Sequence, residues 1–217
     1  MTPRFGIIAA ANAGGSRPHP DNTGASPVEA LLISTGVVAL AEIGDKTQLL
    51  ALVLAARWRK PVPIILGILF ATLANHFLAG ALGAWLADAI GPSAMRWILG
   101  LSFIAMAAWM LVPDRLEDGE NAPPPRRGVF LTTFVAFFLL EMGDKTQIAT
   151  VALAATYPSL PLVVAGTTLG MMIANVPAVL LGEVAARKLP MRAVHAVAAA
   201  IFFALGVLVL LGAAAPR

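Results

Sequence analysis

The chain has 217 residues, 59% of them hydrophobic and only 12% charged, with a mean hydropathy of +0.82. Soluble domains carry about a quarter charged residues, so an ordinary globular domain is excluded and the bilayer is the natural solvent. The pI is about 9.8, but Lys and Arg fall mostly in short loops between apolar runs, which argues against a nucleic-acid partner; with no cysteines, disulfides and thiolate chemistry are excluded as well.

Residues 1–27 are polar and rich in Gly, Pro and Asn after a weak apolar start at Phe5 to Ala11. Two readings stand for them: a disordered external tail, or a signal segment cleaved near Ala11-Asn12-Ala13, whose apolar stretch is short for that role.

About 20 apolar residues are needed to cross roughly 30 Å of hydrocarbon in a helix. Six such runs are expected at 28–56, 62–88, 93–112, 128–156, 160–185 and 191–214. Pro, Gly and charged residues punctuate them, as in Arg57-Trp58-Arg59-Lys60-Pro61 and Arg187-Lys188-Leu189-Pro190. Trp58, Trp85, Trp97 and Trp109 all lie near predicted span ends, as in an interfacial aromatic belt. The third connection, 113–127, holds Asp114, Glu117, Asp118, Glu120 and three consecutive prolines, and reads as a solvated linker.

The loops after spans one, three and five carry nine cationic residues: Arg57, Arg59, Lys60, Arg115, Arg126, Arg127, Arg187, Lys188 and Arg192. The other side carries four, namely Arg4, Arg17, Arg96 and Arg217. The positive-inside rule therefore predicts these loops, including the 113–127 linker, in the cytoplasm and both termini outside.

The chain also repeats itself. Glu42-Ile43-Gly44-Asp45-Lys46-Thr47-Gln48 recurs as Glu141-Met142-Gly143-Asp144-Lys145-Thr146-Gln147, an offset of 99. Gly67 and Gly83 map by the same offset onto Gly166 and Gly182, whereas Asn75 and Asn175 are 100 apart. The expected fold is an all-α membrane protein of six transmembrane helices in two three-helix repeats, 28–112 and 128–214. An odd number of spans per repeat makes the copies enter the bilayer in opposite directions, the inverted arrangement of secondary transporters with midplane substrate sites.

Both motifs fall at the middle of a predicted span, out of reach of headgroup water. Each ionised residue there costs about 2.5–3.5 kcal/mol, so six unpaired would cost on the order of 15–20 kcal/mol. They must pair, bind something, line water or be neutralised. On a continuous helix Glu42, Asp45 and Lys46 share a face that Gln48 extends, and Glu141, Asp144, Lys145 and Gln147 repeat it. Four carboxylates and two lysines sum to a formal charge of minus two, which suits one divalent ion. Gly44 and Gly143 allow either close backbone approach or a local helix break that exposes carbonyls.

Carboxylate, amide and carbonyl oxygens suit hard cations such as Ca2+, Mn2+ and Mg2+. No His ligand spacing joins His19, His76 and His195, although His76, beside Asn75, is weighed as a ligand or proton relay against a plain hydrogen-bonding role. Lys46 and Lys145 act either as internal counter-charges or as structural salt bridges, within a helix or between helices. Thr47 and Thr146 lie roughly opposite the Glu face of an ideal helix and are expected to pack rather than ligate, unless the helix unwinds. Asn75 and Asn175 are peripheral ligands or interhelical hydrogen-bonders. Competition of cation and proton for the same carboxylates at an alternately accessible site is sufficient for antiport.

The paired segments Glu42 to Thr47 and Glu141 to Thr146 resemble the two E-x-G-D-[KR]-[ST] signatures of the transmembrane protein 165 family, over both halves from 28 to 214. That resemblance implies a proton-driven exchanger of Mn2+ or Ca2+, not an enzyme and with no resident cofactor. It implies Glu42, Asp45, Glu141 and Asp144 as the shared metal site, and export of Mn2+ across a bacterial inner membrane. Two other readings are carried: a transporter of another cationic solute, and a membrane-embedded metal-dependent hydrolase, which lacks its usual His ligand set here.

Overall fold

The structure is a computed structural model and describes residues 26–112, 128–181 and 191–212. The 1–25 part of the predicted tail, the 113–127 linker and residues 182–190, with Gly182 and the end of the fifth predicted span, lie outside them. The described residues are helical throughout apart from short turns: α1 Pro27–Glu42, α2 Lys46–Trp58, α3 Pro61–Ala89, α4 Pro92–Met110, α5 Val129–Glu141, α6 Lys145–Thr156, α7 Leu160–Leu181 and α8 Met191–Leu210.

Local sequence sets these boundaries. Ser26 caps α1 by accepting from the Glu29 amide at 3.1 Å, and prolines open α1, α3 and α4, where a missing N–H costs nothing. Helices α3, α4, α7 and α8 are long and apolar enough to cross a bilayer. A fifth span results when α1 and α2 are joined, although they meet at a 69° bend.

Of the two roles left open for Gly44 and Gly143 within the predicted spans 28–56 and 128–156, the local helix break is the one observed. Each region is two helices separated at the acidic motif. Gly44 has φ 84° and Gly143 φ 80°, a left-handed backbone that ends α1 and α5 and redirects the chain.

Packing places the two breaks together. Helix α1 lies along α7, α5 along α3, and α4 along α8, while α6 also packs on α3. The first two pairings share a register. A Cβ at Gly166 would lie 2.6 Å from the Leu31 carbonyl oxygen and 2.8 Å from the Ser34 side chain. At Gly67 it would lie 2.9 Å from the Phe130 carbonyl oxygen and 2.7 Å from Thr133. Each residue of the second set is 99 positions from its counterpart in the first. Farther along, Asn175 reaches Glu42 and Asn75 reaches the Phe138 carbonyl, so α7 runs in the same direction as α1, and α3 as α5. Small residues make these approaches feasible, as in glycine-mediated packing of membrane helices.

Candidate functional site

The two breaks expose the helix ends that carry the charges. Glu42 closes α1 and Glu141 closes α5, so each carboxylate sits at the negative end of a helix dipole. An anion there is electrostatically unfavourable and calls for a cation or a proton. Asp45 and Asp144 are the N-caps of α2 and α6, at the favourable positive ends; the Asp45 carboxylate accepts from the Thr47 amide at 3.5 Å.

The backbone of each break is satisfied in the same way. Asp45 and Asp144 amides donate to the Glu42 and Glu141 carbonyls at 3.0 and 3.1 Å. Gly44 and Gly143 amides donate to the Gln48 and Gln147 side-chain oxygens at 2.9 and 2.6 Å. The two glutamines then tie each break to the neighbouring long helix: Gln48 Nε2 donates to the Ala174 carbonyl at 2.9 Å, and Gln147 Nε2 to Asn75 Oδ1 at 3.2 Å. Residues 174 and 75 are again 99 apart.

The threonines depart from the packing role expected of them. Thr47 donates its hydroxyl to Glu42 Oε1, and Thr146 donates to Glu141 Oε1. An ideal helix would put them on the opposite face; the glycine bend swings α2 and α6 round so that each hydroxyl meets the preceding glutamate. Asn175 Nδ2 donates to Glu42 Oε1 at 3.0 Å, whereas Asn75 contacts Gln147 and the Phe138 carbonyl rather than a carboxylate.

The lysines connect the two halves. Lys145 Nζ donates to Asp45 Oδ1 at 3.0 Å, and Lys46 Nζ lies 3.6 Å from Asp144 Oδ1. Of the readings open from sequence, the ion pair between helices is the observed one, and it is reciprocal: each motif's lysine neutralises the other motif's aspartate. All four carboxylates are at most 2% exposed. Glu42 Oε2, Glu141 Oε2, Asp144 Oδ2 and Asn175 Oδ1 are buried with no hydrogen-bond partner. Unpartnered buried oxygens of this kind are costly, and carboxylate and amide oxygens are the type of atom that hard cations take as ligands. Among the described residues, no three His, Asp or Glu side chains are drawn close enough to hold a metal as they stand. The lysine ammonium groups place positive charge against the two aspartates.

One participant was not legible from spacing. His195, on α8, donates from Nε2 to the Ile43 carbonyl at 3.0 Å, covering a carbonyl that the first break frees from its helix.

A family model described as "Divalent cation/proton antiporter GDT1" matches residues 30–118 and again 129–217. The chain belongs to this family. It is 53% identical over 173 residues, 79% of this chain and 86% of the relative, to a Vibrio cholerae protein named "Putative manganese exporter". It is 29% identical over 212 residues, 86% of this chain and 75% of the relative, to GDT1-like protein 3 of Oryza sativa subsp. indica. With GDT1-like protein sll0615 of Synechocystis it shares 29% identity over 185 residues, 77% of this chain and 89% of the relative. No solved structure matches. Membership in a GDT1 antiporter family sets aside the hydrolase reading: the protein is a membrane transporter of the divalent cation/proton type, not an enzyme.

Proposed function

We propose that this GDT1 protein exchanges Mn2+, and Ca2+ as an alternative substrate, for protons, and that it exports Mn2+ from the cytoplasm through one site shared by the two breaks. Glu42, Asp45, Glu141 and Asp144 are its carboxylate ligands. The reading takes α1/α2 with α3 and α4 as one three-span unit, and α5/α6 with α7 and α8 as a second of opposite orientation. The shared packing register and the parallel course of α1 with α7 and of α3 with α5 support that arrangement. Loop charges favour both termini outside and the 113–127 linker inside, in a bacterial inner membrane.

The observation that carries the proposal is the reciprocal lysine–aspartate pairing between the two breaks. Four carboxylates at a low-dielectric junction need compensating positive charge in every state. In the state described, Lys46 and Lys145 supply half of it. An arriving divalent cation takes the minus-two remainder, drawing on Glu42, Glu141 and the Asn175 amide oxygen, and loosens the lysine pairs as it engages the aspartates. When the cation leaves, protons restore the balance on the glutamates. Cation and protons thus exclude each other from one set of oxygens. Thr47 and Thr146 aim the glutamates, and Gln48 and Gln147 hold the bent backbone, so these four residues position ligands rather than bind the ion. Asn75 holds the second break through Gln147 and the Phe138 carbonyl.

Purified protein in liposomes tests this. An imposed proton gradient drives Mn2+ or Ca2+ flux, and Glu42→Gln or Glu141→Gln abolishes it while the protein still inserts. Undiminished flux in both variants refutes the assignment.

A further inference from the structure

We propose that His76 is the nitrogen ligand of the cation site, placed opposite Glu141, and that it gives the site its preference for Mn2+ over Ca2+. The inference rests on the shared-site reading above and names a residue that sets the selectivity of that site.

The packing register carries the argument. Helix α3 lies on α5 as α7 lies on α1, residue for residue at an offset of 99, through Gly67 with Phe130 and Thr133, and Gly166 with Leu31 and Ser34. The same offset relates the glutamine contacts to residues 75 and 174. In the first pairing, position 175 is the asparagine that donates to Glu42 at 3.0 Å. The counterpart of position 175 is 76, and the counterpart of Glu42 is Glu141. The register therefore sets His76 against Glu141, where the apparent match of the two asparagines is off by one.

Neither group is satisfied by the protein. His76 is 0% exposed, and both Nδ1 and Nε2 lack a hydrogen-bond partner; Glu141 Oε2 lacks one as well. A fully buried imidazole with two idle nitrogens, which the register sets against a carboxylate with an idle oxygen, supplies a pair of ligand atoms of the kind a transition ion takes. The two halves of the site then differ: an amide at position 175 faces Glu42, and an imidazole at position 76 faces Glu141. Calcium takes oxygen ligands almost exclusively, whereas a first-row transition ion gains affinity from imidazole nitrogen. One nitrogen among oxygens tilts an otherwise hard site toward Mn2+.

The test uses full-length protein with Mn2+ and Ca2+ as probes. His76→Asn makes position 76 match position 175, and His76→Gln supplies an oxygen on a longer stem. Binding competition between the two ions is expected to show the Mn2+ preference falling about tenfold or more in both variants, the scale on which altered ligation changes metal affinity, with Ca2+ binding kept. Pulsed electron paramagnetic resonance of Mn2+ on the wild-type protein shows imidazole 14N modulation, and H76N abolishes it. Retention of the modulation in H76N, or an unchanged ion preference in both variants, overturns the proposal. If the wild-type protein binds Mn2+ without imidazole modulation, only the His76 assignment fails. If it binds neither ion, the shared-site reading fails with it.

Discussion

Replacing Lys145 by methionine separates the two ion pairs energetically. Lys145 and Asp45 are 2% and 1% exposed and 3.0 Å apart, so removing the lysine strands a carboxylate in a dry interior. Breaking a buried pair from one side costs about 3–5 kcal/mol. Lys46 is 25% exposed and lies 3.6 Å from Asp144, so water reaches its end of the pair and part of the charge is already screened. Lys46→Met should therefore cost less, about 1–2 kcal/mol, between the surface and buried regimes. With about 2–4 °C per kcal/mol for a chain of this size, Lys145→Met lowers the melting temperature by on the order of 10 °C. The double variant Asp45→Asn with Lys145→Met recovers most of that loss, because it removes the stranded charge along with its partner. Thermal unfolding in detergent, at one scan rate and without divalent ions, measures all of these. Equal losses for Lys145→Met and Lys46→Met, or a double variant as unstable as the sum of its parts, would refute the reasoning.

Four further substitutions, elsewhere in the chain, have expected outcomes. Gly83→Ala puts a Cβ 2.1 Å from the Val151 carbonyl oxygen, a backbone atom that cannot step aside, and should destabilise the α3–α6 contact by about 3 kcal/mol; Gly36→Ala meets nothing within 4 Å and should gain about 0.5–1 kcal/mol, both read by the same melts. Gly143→Ala also meets open space, but at φ 80° it strains the second break by about 1–2 kcal/mol, and its transport rate should fall more than its stability does. Because the chain has no cysteine, Glu120→Cys provides a single thiol in the linker, which an impermeant maleimide should label in inverted vesicles and not in intact cells.

Much of this architecture is legible in the amino-acid order because hydropathy and the 99-residue repeat are one-dimensional signals. The apolar runs locate α3, α4, α7 and α8, and the doubled motif locates both sets of buried charges. What the sequence leaves open is helical continuity at the two motifs. Gly44 and Gly143 signal a break, but only the positive φ at each shows that the chain turns, and the turn reverses the expected orientation of Thr47 and Thr146. The lysine partners stay open, within a helix or between helices, for a different reason. Spacing within one helix favours Lys46 with Glu42, while the crossing of the two breaks pairs it with Asp144. Likewise, residue type pairs Asn75 with Asn175, and packing register pairs His76 with Asn175. His195 carries no motif at all; its contact with Ile43 exists only because α8 passes the first break.

Counting bound Mn2+ on the purified protein probes the idea of a single shared pocket most directly. Equilibrium titration should give one tightly held ion per chain, and either Glu42→Gln or Glu141→Gln alone should remove it completely. Two ions per chain, or one glutamate variant that still binds with wild-type affinity, would mean that each acidic segment works independently.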